Sequence, residues 1–463
     1  MTYTPPVSAR VGDGLPEALP DVAPPSPATG ELLLDRVGWS ALRFAPFRRF
    51  IGSMLLSTTG NFIFIAALGW YVVEVTGSAA ATGLAFTVFG ISTLLFTAQA
   101  GVLTDRFGSR TMMTISITGM GIAGLAIAAL ALVPGAPFPL VLLLAFLMGF
   151  AQTIGAPAAL AIVSDLVPPP AMSSAVALNF LHMSIARIIG GLTGGLILAA
   201  TGSAAAFAIT GMLNLLPALV ISRLPRPERS HATRHASSII DPLREAVAYG
   251  RRFPTLGVLL LLPMAAGLLG LSYIFMLPVA AEELGIGAAG LGTLLAASGV
   301  GGLIAGLVLE RVQRRIGHGR AFVGGLLLAS GSLIAFGLAP GIVVASIALA
   351  VVGGSILTYA SADVTLISAL APARLRGRLV GLFALVYWGM MPVGAALLGF
   401  IAEATSAQTA ILCGGLGLGL ATIAALVVRP QIATLAVTRD GESMTGDLRG
   451  SGREAAAPAS REG

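Results

Sequence analysis

Two charged side chains lie inside long apolar runs, where an ionised group is expensive. They are Arg187, within residues 172 to 200, and Asp363, within residues 342 to 370. A charge at the centre of a membrane helix costs roughly 2.5 kcal/mol or more, so such residues are functional candidates by default. Arg187 can anchor an anionic ligand or neutralise a buried carboxylate, and the sequence leaves both open. Asp363 stands about two turns inside the end of its run. A carboxyl there can take up and release a proton, or it can pair structurally or extend towards lipid headgroups. A third set of charges is packed into one decapeptide, Gly101-Val-Leu-Thr-Asp105-Arg106-Phe107-Gly108-Ser109-Arg110. Gly101 has no side chain, so its helix can approach a neighbour closely. Asp105 is expected at the start of the next helix, meeting the positive end of the helix dipole and capping free N–H groups. Arg106 and Arg110 supply partners, and Asp165 is a candidate third member. Polar groups in other apolar runs, among them Asn61, Gln99, Gln152, Asn179 and Asn214, can bind a ligand or join helices. His182, one turn before Arg187, is expected to be a packing residue.

Several chemistries are excluded by residue type. The single cysteine, Cys413, permits no disulfide framework and no cysteine-based metal site, and the four histidines are too scattered for a metal cluster. All 27 basic residues are arginine, so a catalytic, Schiff-base or phosphate-loop lysine is absent. No convergent cluster of acids, histidines and a nucleophile is present, so the chain is expected to be neither an enzyme nor a cofactor protein. The net charge of +6 is spread between apolar runs and not gathered on a soluble face, which argues against nucleic acid.

The elements that carry these residues follow from composition. Of 463 residues 56% are hydrophobic and 10% charged, and the mean hydropathy is +0.91; soluble chains carry about a quarter charged residues. Gly, Pro and charge divide the chain into apolar runs at 50 to 75, 81 to 103, 111 to 133, 139 to 164, 172 to 200, 203 to 222, 255 to 281, 288 to 309, 320 to 338, 342 to 370, 378 to 402 and 407 to 428. Each is long enough to span a bilayer as a helix. The fold class is therefore an all-α membrane protein of twelve transmembrane helices. All the arginines except Arg187 fall in the two tails and the even-numbered loops. Basic residues are retained on the cytoplasmic side, so both termini are expected to be cytoplasmic, in a bacterial-type inner membrane.

The expected organisation is a disordered proline-rich tail over 1 to 44, a six-helix half over 45 to 222, a basic linker over 223 to 254, a second six-helix half over 255 to 428, and a disordered tail over 429 to 463. Within the linker, Asp241-Pro242 reads as the start of a short amphipathic helix. The halves repeat. Gly101 with Asp105-Arg106 recurs as Gly306 with Glu310-Arg311, Val167-Pro168 as Ala371-Pro372, and Gly190 and Gly195 as Gly394 and Gly399, at offsets of about 205 residues. Two parallel six-helix repeats place a substrate site between them near the midplane.

The decapeptide at 101 to 110 resembles the signature of the major facilitator superfamily between helices 2 and 3. Ser57-Thr-Thr-Gly60-Asn61, Glu74-Val-Thr-Gly77-Ser78, Pro157-Ala158, Asp165-Leu-Val-Pro168 and Arg376-Gly377-Arg378 are similar to the branch that holds the enterobactin exporter and the macrolide-efflux proteins. The similarity runs over about residues 45 to 428. In helix 5, Arg187-Ile-Ile-Gly190-Gly191-Leu-Thr-Gly194-Gly195 departs from it, with Gly191 where antiporter relatives carry proline; the four glycines are expected to pack helices. The resemblance implies that Gly101, Asp105, Arg106, Gly108, Arg110 and Asp165 form a latch, closed in one conformation and released in the other. The bland reading is a fixed surface ion pair worth less than about 1 kcal/mol. The resemblance also puts Asn61, Gln152 and Asp363 on helices that line the cavity. It implies proton-coupled efflux of an amphipathic drug, macrolide or siderophore by a monomer, with protons, substrate and lipid as its partners and the proton gradient as its energy source. An uptake symporter, a facilitator and a transport-inactive sensor or partner subunit are the alternatives.

Overall fold

In a computed structural model, residues 39–224, 253–372 and 375–435 are described. Within them are eleven helices long and apolar enough to cross a membrane. One of these, Met172–Ile221, has 50 residues. A straight helix of that length would run about 75 Å, more than twice a hydrocarbon core of about 30 Å. It is two helices, because Gly202 inside it has φ 81° and ψ 179°, a conformation glycine adopts without a Cβ clash. Positions 190 and 210 confirm the reversal: a Cβ on Gly190 would touch the Thr59 carbonyl, while the Thr210 hydroxyl donates to the Gly60 carbonyl at 3.1 Å. Residues twenty apart therefore lie at one level, as in a hairpin.

The crossings are α1 (Ala45–Thr76), α2 (Ala79–Phe107), α3 (Ser109–Ala131), α4 (Phe138–Leu166), α5 (172–201), α6 (203–221), α7 (Pro254–Glu283), α8 (Gly287–Ile316), α9 (His318–Gly337), α10 (Ile342–Leu370), α11 (Arg376–Ala404) and α12 (Ala407–Val428). In α7 the stretch Ala266–Leu271 is a π-helical turn, flanked by Pro263 and Pro278. Lipid offers no partner for a free carbonyl. Ser272, next to the turn, donates its hydroxyl to Gly267 at 2.9 Å and to Met391 of α11 at 3.0 Å.

The sequence repeat is a structural one. Gly190 of α5 lies against α1 and Gly394 of α11 against α7; Gly195 of α5 lies against α8 and Gly399 of α11 against α2. Equivalent glycines thus meet equivalent helices. Two seams, α5 with α8 and α2 with α11, join the halves. Backbone meets backbone in both: a Cβ on Gly83 would lie 2.5 Å from the Ala395 carbonyl oxygen, and one on Gly195 would lie 2.7 Å from that of Ala288. A Cβ on Gly191 would lie 2.9 Å from the Ala296 nitrogen, and one on Gly194 would lie 3.2 Å from the Ile63 Cα, so all four helix-5 glycines pack against neighbouring helices.

Both seams are tight towards the face that carries the arginine-poor turns, where α1 meets α2 and α11 meets α12. Phe86 of α2 and Phe275 of α7 stack there at 4.5 Å between ring centres. Towards the arginine-rich face the helices diverge. A Cβ on Gly101, Gly377 or Gly381 would meet nothing within 4 Å. The close approach expected at Gly101 is therefore not made among the described residues.

Described structure extends into both segments expected to be tails. Ser40–Arg43 forms a 3-10 turn whose Ala41 is fully buried, its amide bonded to Ser174 Oγ at 3.2 Å. Pro430–Thr434 forms another, followed by Leu435, whose carbonyl accepts from Gly319 N at 2.9 Å. Apolar burial explains both: Ile432 and Leu435 belong to the core of the second half. The linker helix expected from Asp241 lies outside the described residues.

Candidate functional site

Helix α5 carries Arg187 to the seam with α8. Gly299 of α8 lets the backbones come together, since a Cβ there would be 3.0 Å from Ile188 N. Arg187, half-buried, reaches across the seam and donates from Nη1 to Ser298 Oγ at 3.2 Å. Ser298 shares a 2.8 Å hydrogen bond with the Tyr273 hydroxyl of α7. The guanidinium also lies 5.1 Å from the ring centre of Phe62 on α1. Its Nε is buried without a hydrogen-bond partner, and no carboxylate lies within ion-pair distance among the described residues. A half-buried guanidinium ringed by neutral groups keeps unmet capacity for an anion. Ser298 and Phe62 were invisible as site residues in the sequence, where each is an ordinary helix residue.

Asp363 does not face the gap. It is fully buried in the second half, one turn from Tyr359, with neither carboxylate oxygen partnered among the described residues. Around it are the apolar side chains of α7, α9, α10 and α11. Tyr359 and Tyr387 meet edge to face at 6.1 Å, and Tyr387 stacks on Phe383 at 5.3 Å. An isolated charge in such a setting is costly. Neither structural pairing nor extension towards headgroups is what the side chain does here.

The decapeptide forms the turn from α2 to α3, and its contacts differ from those expected. Helix α2 continues to Phe107, so Asp105 stands in its last turn and not at the start of α3. The cap of α3 is Gly108, at φ 87°. Gly317, at φ 85°, does the same before α9. Asp105 is exposed and makes no hydrogen bond or ion pair among the described residues. Arg106 lies over the Phe107 ring at 5.3 Å. Arg110 turns to the end of α6, donating to Leu224 O at 2.6 Å and to Ser222 O. Asp165 accepts from Ser109 Oγ at 2.8 Å. The structure thus ties Asp165 and Arg110 within the first half and leaves Asp105 apart from both.

The remaining candidates divide. Asn61 is half-buried with Oδ1 unpartnered, and Gln152 is half-buried on α4. Asn214 is a strut: it accepts from Ser57 at 2.7 Å and donates to Thr210 O at 2.9 Å. His182 sits 3.4 Å from Thr58 Oγ1, joining α5 to α1 as a packing residue. Gln99 is exposed. Among the described residues no group of three or more His, Cys, Asp or Glu is placed to hold a metal.

The profile of the family described as transmembrane secretion effector matches residues 36–440. The enterobactin exporter EntS of Shigella flexneri is 28% identical over 387 residues, covering 80% of this chain and 90% of that protein. EntS of Escherichia coli O1:K1 is 27% identical over 388 residues, with the same coverage. Among solved structures, a POT family transporter in complex with 5-aminolevulinic acid superposes with a TM-score of 0.66 at 14% identity, covering 83% of this chain and 96% of that one. A D-xylose-proton symporter gives 0.64 at 15% identity, with 81% and 97% covered. These two show the fold.

Proposed function

The chain belongs to the transmembrane secretion effector family of major facilitator transporters, and from that premise we propose that it exports an amphipathic, anionic small molecule of the siderophore type in exchange for protons. The observation that carries this reading is Arg187: a half-buried cation at the seam between the halves, held by a hydroxyl and an aromatic ring. A substrate anion supplies the charge partner that the protein withholds. The exporters among the relatives support the direction of transport.

Asp363 is the proton carrier in this reading. A proton on its carboxyl removes a charge that no neighbouring group compensates, and rearrangement of α10 and α11 in the opposite conformation gives it access to water. Alternating access in this reading uses the two seams: closed towards the arginine-poor face, they open at that face when the halves rock. The cluster at 101 to 110 acts at the other face. There Asp105, at the unfavourable end of the α2 dipole, is the group left to pair when α2 and α11 converge.

The test uses everted membrane vesicles with a respiration-generated proton gradient and a pH-sensitive dye. A catecholate siderophore is expected to collapse the gradient in vesicles carrying the protein, and a neutral macrolide to do so less. Asp363→Asn is expected to abolish this response while leaving substrate exchange. Wild-type coupling in Asp363→Asn removes that residue as the carrier. No response to any anionic amphiphile overturns proton-coupled export of this class.

A further inference from the structure

At the arginine-poor end of the α2–α11 seam, one carboxylate crosses from half to half. Glu403, in the last turn of α11, accepts from Ser78 Oγ at 2.9 Å and from the Ala80 backbone N–H at 3.0 Å. Ser78 is the N-cap of α2, its own hydroxyl accepting from Ala81 N at 3.1 Å. The free amides at the start of α2 are thus satisfied partly by its own chain and partly by the opposite half. Beneath this tie Gly399 and Gly83 bring the two backbones together.

The repeat shows that the scaffold does not require an acid here. Ile197-Leu-Ala-Ala-Thr201 in α5 corresponds to Ile401-Ala-Glu-Ala-Thr405 at the end of α11, and both threonines bond back to the equivalent isoleucine carbonyl, at 2.8 and 2.7 Å. Glu403 therefore stands where the first half has Ala199. At the same end of the other seam the halves meet through glycine packing at Gly195 and Gly292, and the start of α8 has no side-chain cap. Glu283 provides the contrast. It caps α12 through Ala407 N at 2.8 and 2.9 Å, yet both its helices belong to one half.

We propose that Glu403 is a positioning residue of the transport cycle, a tie that holds the arginine-poor face closed and must release Ser78 and Ala80 before that face opens. Its charge-assisted bonds to a helix N-terminus exist only while the halves are together. Their loss favours the open conformer, whatever the substrate or coupling ion. Glu282 and Glu283 line the same small cavity of about 310 Å³ beside Glu403, so its charged lining residues are all acidic and offer Glu403 no cationic partner that would replace the helix end.

The test reads the opposite seam, beyond the reach of local fraying at α2. In a full-length Cys413→Ser background, Ala288→Cys places a thiol at a buried position of the α5–α8 seam. The protein is held in lipid nanodiscs, with both faces open to a maleimide. Glu403→Ala is expected to speed modification of that thiol by roughly 2- to 30-fold, the factor by which loss of a helix cap shifts a two-state balance. Glu403→Gln, which keeps an oxygen acceptor, is expected to give a smaller acceleration. Glu283→Ala is expected to give none. Equal rates with and without the Glu403 carboxylate overturn the proposal. So does equal acceleration by Glu283→Ala, which would make the effect general helix fraying.

Discussion

Adding one methyl group at Gly83 is expected to move the whole transporter. A Cβ there would lie 2.5 Å from the Ala395 carbonyl oxygen and 3.0 Å from the Gly399 Cα. Both neighbours are backbone, so no side chain can rotate away. To reach about 3.4 Å, where ordinary contact begins, α2 and α11 must part by about 0.9 Å. Overpacking of this kind costs about 1–3 kcal/mol, charged only to the conformer in which the seam is closed. Alanine also gains up to about 1 kcal/mol of helix propensity over glycine. That gain applies to both conformers and cancels from their ratio. The population should therefore move roughly 5- to 150-fold towards the conformer open at the arginine-poor face. In the Cys413→Ser background, spin labels at Val133→Cys and Leu338→Cys, exposed positions on turns of opposite halves at that face, would report it as a longer pulsed-dipolar distance. Gly195→Ala, 2.7 Å from the Ala288 oxygen on the other seam, should act in the same direction. Gly324→Ala and Gly331→Ala, where a Cβ meets nothing within 4 Å, should leave the distances unchanged. Identical distributions in Gly83→Ala and wild type would refute the argument that the closed seam depends on bare backbone.

Other outcomes follow from the same geometry. Arg187→Gln should raise KM for an anionic substrate by about tenfold or more, the scale of one charged hydrogen bond, and affect a neutral substrate less; equal effects on both would deny Arg187 its role as an anion anchor. Asp105→Asn should slow turnover while membrane insertion stays normal, and wild-type rates would reduce the decapeptide to a static surface feature. Arg110→Ala removes two donors to the end of α6 and should lower stability by about 2 kcal/mol, read as a lower unfolding midpoint in detergent; an unchanged midpoint would mean those carbonyls find water at no cost.

The crossings were legible because lipid enforces length: the runs ending at 200 and restarting at 203 already bracket Gly202, where the chain reverses. The repeat was legible for a related reason, since glycine at a seam cannot be exchanged for anything larger, and Gly190, Gly195, Gly394 and Gly399 keep their spacing. Arg187 and Asp363 stood out by charge alone. Their surroundings did not. Whether Arg187 meets a carboxylate or a hydroxyl depends on which helix faces α5, and the partner, Ser298, lies 111 residues away. The expected cap by Asp105 failed because the helix end was assigned four residues early, at 103 and not at Phe107, and in a tight turn that moves a side chain from one dipole end to the other. Glu403 gave no signal, since a lone acid at a helix end looks like an interfacial charge until the opposing N-terminus is seen.

The two seams also govern how the halves can slide. Ordinary helix pairs interlock ridges with grooves, and sliding one past the other means lifting side chains out of their slots. At Gly83 with Gly399 and at Gly195 with Gly292 there are no such teeth. At those two points displacement meets little corrugation, and resistance concentrates where Pro392 and Leu94 pack against Gly90 and Gly389 and in the polar ties at Thr87, Glu403 and Arg187. A machine built this way needs no large energy input to turn over. In the proposed cycle a single bound anion or proton, worth a few kcal/mol, is on the same scale as those polar ties.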